Sequence, residues 1–280
     1  MARLFQRSWR VVLRSLRKVI TIDSNMDPSL MIEANMSKSG GFEPNTCSLT
    51  IFGLDKNNRE EFTRKGTGIE IYAGYEDTGA VMLFKGSVLW GQQNWNGVNR
   101  SLSLESVDGF QSVNASVTVG PRTPYGQTID TLRGQTTQAK GKSKPVKGTT
   151  GNRPTLLEGD MRQLAEQLGT EYGLDISVQD DAWSVTPADT FTADDTYVIG
   201  PESGLVGTPT PIKAGFGNLI FFAPGWNFAC RLNGHIRPMR RVKLVSDVVP
   251  GGSAIVTARL VTHSIQTLGQ DWTTNVEAFN

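Results

Sequence analysis

The sequence predicts a mainly β protein with a small α/β insertion. Three observations carry that prediction. Residues 9–120 fall into short runs that alternate apolar and polar side chains, separated by turn residues. Residues 121–196 break the alternation with a Pro-, Gly- and Lys-rich stretch followed by a helical spacing. From 197 to the end the alternation returns. The expected organisation is therefore a β-rich region 1–120, a small mixed region 121–196 with a Lys/Gly-rich loop, and a β-rich region 197–280. Short strands at close spacing argue for sandwiches or barrels. A chain of 280 residues and 30.5 kDa has room for two or three cores. Hydrophobic residues at 38% and charged residues at 20% describe a globular chain and exclude a disordered one.

The first expected strand covers Trp9 to Arg14, with Trp9, Val11 and Leu13 on one face and Arg10, Val12 and Arg14 on the other. Arg14 breaks the apolar run too early for a secretory segment. The positive face is expected to meet an acidic partner surface. Lys18–Asp23, Leu30–Asn35, Cys47–Phe52, Ile69–Ala73, Val81–Phe84, Gly86–Trp90 and Ser101–Val107 follow as strands. One polar helix, 55–65, interrupts them. Asp55 suits its N-cap, Gly66 its C′ position, and Leu54 and Phe62 are the apolar anchors. Trp90 to Gly97 reads as a hairpin tip whose tryptophans pack on a neighbouring strand or a second subunit rather than on sugar.

In the middle region, Lys140, Lys142, Lys144 and Lys147 fall within a loop expected to be flexible and basic. A helix is expected from Thr155, with Leu157, Met161, Leu164, Ala165 and Leu168 on its apolar face, then a strand over 174–178. The last region carries strands at 197–200, 204–209, 219–222, 228–232, 241–246, 253–261 and 271–279. Pro224-Gly225 and Gly251-Gly252 are expected as breaks between strands.

Chemistry finds few candidates. The two histidines, His235 and His263, belong to no ligand motif, and no nucleophile elbow occurs. The acid pairs Glu60-Glu61, Asp180-Asp181 and Asp194-Asp195 diverge on any regular backbone, so adjacency does not make an acid/base pair. Gly141-Lys142-Ser143 has the tail of a phosphate loop, but Thr136 stands where its first glycine belongs. Cys47 and Cys230 are expected as small buried residues. No catalytic, cofactor-binding or metal-binding residue is assigned, and the chain is expected not to be an enzyme. A net charge of +1 gives no overall footprint for nucleic acid, and no stretch is long and apolar enough to span a membrane.

Two separated segments resemble one family. The first runs Glu43-Pro44-Asn45, Leu49, Ile51 and Leu54, then the polar helix, Ala73-Gly74-Tyr75, Phe84-Lys85-Gly86 and Val107-Asp108-Gly109. The second comprises Gly204 to Pro209, Pro238-Met239-Arg240-Arg241, Thr262-His263-Ser264 and Asp271 to Ala278. Their order is similar to that of baseplate hub proteins of long-tailed bacteriophages. The resemblance implies two tail-tube-like β-barrel domains flanking a mixed middle domain, and a homotrimer in which three chains imitate a six-fold tube. It implies a place in the virion, at the tail baseplate or tip. Its partners would be the tail tube or distal tail protein, a tip or spike protein and the tape measure protein, with DNA passing through the lumen only in transit. The competing readings are a hexameric tail tube or distal tail subunit and a module that binds or hydrolyses cell wall.

Overall fold

The computed structural model describes residues 6–40, 43–97, 99–108, 116–119, 157–172, 174–180, 182–187, 196–216 and 219–279. The chain forms two compact units. The first comprises Met1–Lys38, Thr46–Val107 and Thr192–Asn280, and the second Ser39–Asn45 and Asp108–Phe191. The fold is mainly β, and among the described residues thirteen strands of the first unit join in one sheet.

The N-terminal half of the first unit holds β1 (Arg7–Arg14), β2 (Val19–Asp23), β3 (Ile32–Ser39), β4 (Thr46–Phe52), helix α1 (Lys56–Phe62), β5 (Gly68–Tyr75), β6 (Gly79–Asn96) and β7 (Asn99–Val107). Its strands lie in the order β2-β1-β5-β6-β7-β4-β3, all antiparallel. Val11 and Leu13 of β1 share one buried cluster with Ile32 and Met36 of β3, at the other end of that order. Residues at opposite ends of a sheet meet only if the sheet curls round its own apolar face, which the period-two burial of β3 and β4 provides. Helix α1 begins where Asp55 accepts the Asn58 amide, stops before Gly66 at φ +86°, and plugs the core with Phe62. β6 is one long strand, where a break at Lys85 was expected. The chain runs through Gly86 because a Cβ there would meet the Val107 carbonyl at 2.4 Å, a close approach only glycine permits.

The second unit holds β8 (Ser116–Val119), β9 (Leu157–Asp160), α2 (Met161–Tyr172), β10 (Leu174–Gln179) and β11 (Ala182–Pro187). β8 pairs with β9 and β10 with β11, both antiparallel. The helix expected from Thr155 starts only at Met161, and Leu157 instead pairs with Val119 in a strand. Gly159 disfavours helix by about 1 kcal/mol, and Asp160 is a preferred residue immediately before one. Leu164, Ala165 and Leu168 are buried as the helical spacing required. The lysines at 140–147, the phosphate-loop tail and Asp194-Asp195 lie outside the described residues.

The C-terminal half of the first unit holds β12 (Tyr197–Ile199), β13 (Leu205–Phe216), β14 (Leu219–Arg231), β15 (Arg241–Val245), β16 (Ser253–Gln266) and β17 (Trp272–Phe279). The order is β13-β14-β17-β16, with β15 on β16 and β12 parallel to β15. Its core is Ile199, Phe228, Ile236, Val242, Leu244, Val256, Val261, Val276 and their neighbours. Pro224-Gly225, expected as a break, lies inside β14. The register slips there: Pro211 faces Trp226, and Lys213 faces Phe222. A bulge absorbs a proline that has no amide to donate. Gly251 and Gly252, at φ +74° and +77°, do make the expected turn.

β16 also lies beside β3, so the halves share one sheet. Thr267 closes the join. Its amide donates to the Ile32 carbonyl (3.0 Å), and its hydroxyl donates to the Leu30 carbonyl (2.7 Å) and accepts from the Ile32 amide (2.9 Å). Leu232, Ile265 and Trp272, from the C-terminal region, belong to the N-terminal core.

Candidate functional site

The reactive residues are dispersed. His263 is fully buried on β16, its Nδ1 2.9 Å from the Thr274 hydroxyl. Burial, with the Lys38 and Arg237 charges adding, holds its pKa down at about 3, so the ring is neutral in the fold. His235 stacks on Tyr197 at 5.5 Å. Glu60 pairs with Lys56 at 3.7 Å on the exposed side of α1, and Glu61 pairs at 3.5 Å with Arg64, just past the helix. Cys47 and Cys230 are free and buried, and burial pushes both thiols up to about 12. Such thiols are poor nucleophiles. No group of three or more potential metal ligands gathers among the described residues. No helix among them is long and apolar enough to cross a membrane.

The family-like motif at 43–45 acquires a physical role in the second unit. The Asn45 amide nitrogen donates to Asp108 Oδ2 (2.7 Å) and the Val178 carbonyl (3.0 Å), while Asn45 Oδ1 accepts the Ser39 amide (2.9 Å). Asp108 accepts the Asn45 amide on Oδ1 and the Asp180 amide on Oδ2, each at 2.9 Å. The Gln179 amide nitrogen donates to the Ser39 carbonyl at 2.8 Å. Asn45 and Asp108 are both buried. The network fastens the 39–45 loop and the start of the inserted segment to β10, and a missing member would orphan buried donors. Sequence reading noted both residues but gave neither a partner.

Two further buried polar groups escaped the sequence. Arg59 turns inward from a helix read as solvated, and its guanidinium donates to the Leu54 carbonyl. Lys38 is buried at the end of β3. The N-terminal strand alternates as expected at Trp9, Arg10 and Val11, but Val12 is buried along with Val11 and Leu13. The cations beside it already have partners in their own sheet. Arg10 lies 4.2 Å over the Tyr72 ring, and Arg14 pairs with Glu70 at 3.4 Å.

What the fold presents is surface. Trp90 and Trp95, on the β6–β7 hairpin that turns at Gly97, are 52% and 62% exposed. They are therefore not core residues. The outward face of the run β14-β17-β16-β3-β4-β7 carries hydroxyls, amides and scattered charges of both signs, with Asn35, Ser48, Glu105, Arg259, Thr262, Asn275 and Glu277 as examples. Some of these groups bond one another: the Thr50 and Ser103 hydroxyls lie 3.2 Å apart, and Asn94 donates to Ser103 at 3.0 Å. Two shallow grooves open on this face. One, of about 430 Å³, is bounded by Val206, Asn227, Leu260 and Asn275, and the other, of about 240 Å³, by Glu33, Asn35, Ser48 and Ser264.

The mainly β fold of joined halves is one that solved phage tail proteins share. No protein-family model matches the sequence, and no curated protein matches it. Solved structures do share the fold. The 43 kDa tail protein of prophage MuSo2 from Shewanella oneidensis superposes with a TM-score of 0.66 at 9% identity, covering 98% of both chains. A tail protein from Neisseria meningitidis MC58 gives 0.65 at 10% identity, over 97% of this chain and 96% of that one. An E. coli type VI secretion component, described as structurally similar to T4 bacteriophage tail proteins, gives 0.59 at 7% identity over 89% and 72%. The chain thus has the fold of tail proteins along nearly its whole length.

Proposed function

We propose that this chain is the structural hub of a phage-type tail tip, a homotrimer that joins the tail tube to the tip or spike and forms a ring for genome passage. One observation carries the reading: a single chain places two separate β cores side by side on one continuous sheet. Three such chains offer six barrel-like units, which is what a three-fold tip needs to meet a six-fold tube. The tail-protein fold supports the same role. In this reading the protein works by assembly and not by catalysis. It sits in the virion at the baseplate or tail tip. It contacts the tail tube or distal tail protein on one side and the spike on the other, and the tape measure protein and DNA run through the ring.

Electron micrographs of the purified protein, alone and mixed with its tail-tube neighbour, test this. Class averages with three-fold symmetry and a central opening are expected. Averages containing six chains per ring would instead support a tail tube or distal tail subunit.

A further inference from the structure

We infer that copies of the chain meet through a repeat of the joint found inside each chain: the end of the β6–β7 hairpin, anchored by Trp95, docks on the open β13 edge of a second copy. The inference deepens the hub reading, on which it rests for the number of copies in the ring.

The halves repeat one framework without repeating residues. The sheet reads β13-β14-β17-β16 and then β3-β4-β7-β6, with β15 on β16 and β5 on β6. Backbone registers fix the match. The Phe52 amide donates to the Met31 carbonyl and the Gly53 amide to the Arg100 carbonyl, each at 3.0 Å. Likewise the Arg231 amide donates to the Gly204 carbonyl at 2.8 Å, and the Leu232 amide to the Trp272 carbonyl at 2.9 Å. β6 slips against β7 between Val88 and Trp90, and β16 slips against β17 between Ala258 and Leu260. The residue after each slip faces a glutamate: Trp90 faces Glu105, and Leu260 faces Glu277. Further along, Trp95 faces Arg100 just as Ile265 faces Trp272. Trp95 is therefore the counterpart of Ile265. Ile32 faces Ile51 and Leu205 faces Cys230, which makes β13 the counterpart of β3.

Within the chain the two frameworks meet where β16 lies beside β3, and there Ile265 and Trp272 are only 2% and 4% exposed. Each framework also leaves half of this joint unmade. β13 pairs only with β14 among the described residues, and its Val206 is exposed. Past Val88, β6 has β7 on one side and no paired strand on the other among the described residues. Trp95 is 62% exposed there, and Arg100 is exposed beside it. The two open sides are the two faces of one joint, and they do not meet within the chain. A second copy supplies the missing face, and contacts between unlike surfaces of this kind close into rings. Pro209 and Pro211 of β13 have no amide to offer, so this edge cannot add strands indiscriminately. Side chains near Leu205 then set the contact, and a tryptophan buried on assembly is an effective anchor.

The test puts a photo-crosslinker at the anchor. The variant Trp95→p-benzoylphenylalanine is irradiated alone and with the tail-tube neighbour, and bands heavier than one chain on a denaturing gel are mapped by mass spectrometry. Peptides joining position 95 to residues 205–212 of another copy are expected. Crosslinks confined to one chain, or landing on any other segment of a second copy, would overturn the joint. Trp95→Glu is expected to weaken assembly at least about tenfold in sedimentation, with circular dichroism unchanged, since the side chain is exposed in the single chain. The control Thr21→Glu, at an exposed position on β2, is expected to assemble like wild type. Assembly of Trp95→Glu at wild-type strength would also overturn the joint. Crosslinks from 95 to 205–212 in a ring of other than three copies would uphold the joint and defeat the three-fold hub. A wild-type chain that stays monomeric, alone and with its neighbour, would defeat both.

Discussion

The two β halves differ more inside than outside. The N-terminal core is built from large side chains, with Trp9, Met36, Phe62 and Phe84 among them, and is plugged by a helix. The C-terminal core has Phe228 as its one fully buried aromatic among the described residues and is otherwise filled largely by valine and alanine, such as Val256, Val261, Ala258 and Ala278. Yet one sheet with a polar outward face runs over both. Interiors need only fill their own volume, so cores of different side chains can sit under one sheet. This explains why no repeat by residue identity is visible between the halves.

The largest expected effect comes from the residue that crosses between them. Trp272 sits on the last strand but is buried in the N-terminal core, with Arg7 5.0 Å over its ring. Trp272→Ala should cost about 3–5 kcal/mol in denaturant unfolding. Hydrogen exchange should then show lost protection in β1 and β3 as well as β17. Loss confined to β17 would show that the halves fold independently.

His263 should come next, on the strand the halves share. Its folded pKa of about 3 lies below the ordinary value of 6.5. Below about pH 6.5 the unfolded chain takes up a proton that the folded chain refuses. Stability is therefore complete above that pH and falls as the pH drops toward 3, by at most about 1.4 kcal/mol per pH unit. His263→Asn should flatten this limb in urea midpoints measured from pH 7 to pH 4.

Val256→Ala, which removes two methyl groups from the smaller core, should cost about 2 kcal/mol and leave exchange in β4 and β5 unchanged. Asp55→Ala, which removes the cap of α1, should cost about 1 kcal/mol and loosen only the N-terminal half.

Much of the fold was legible because alternation reports burial. Cys47, Leu49 and Ile51 lie inward and Ser48 outward, as their spacing required. The α1 cap was legible because Asp55 and Gly66 have local roles. The merged strands β6 and β14 were not, since Gly86 and Pro224 read as breaks until a partner strand shows them as a close approach and a bulge. The start of α2 was misplaced because two adjacent leucines suit either backbone. The polar outward face was hidden for a different reason. Its Ser, Thr and Asn positions are in the sequence, but which strands adjoin is a long-range fact. The Asn45–Asp108 pair, 63 residues apart, was hidden by the same distance.

The central claim concerns number of copies, and native mass spectrometry of the purified chain with its tail-tube neighbour measures it most directly. A hub assembly containing three copies of the 30.5 kDa chain is predicted. Six copies, or a single copy under every condition, would contradict it.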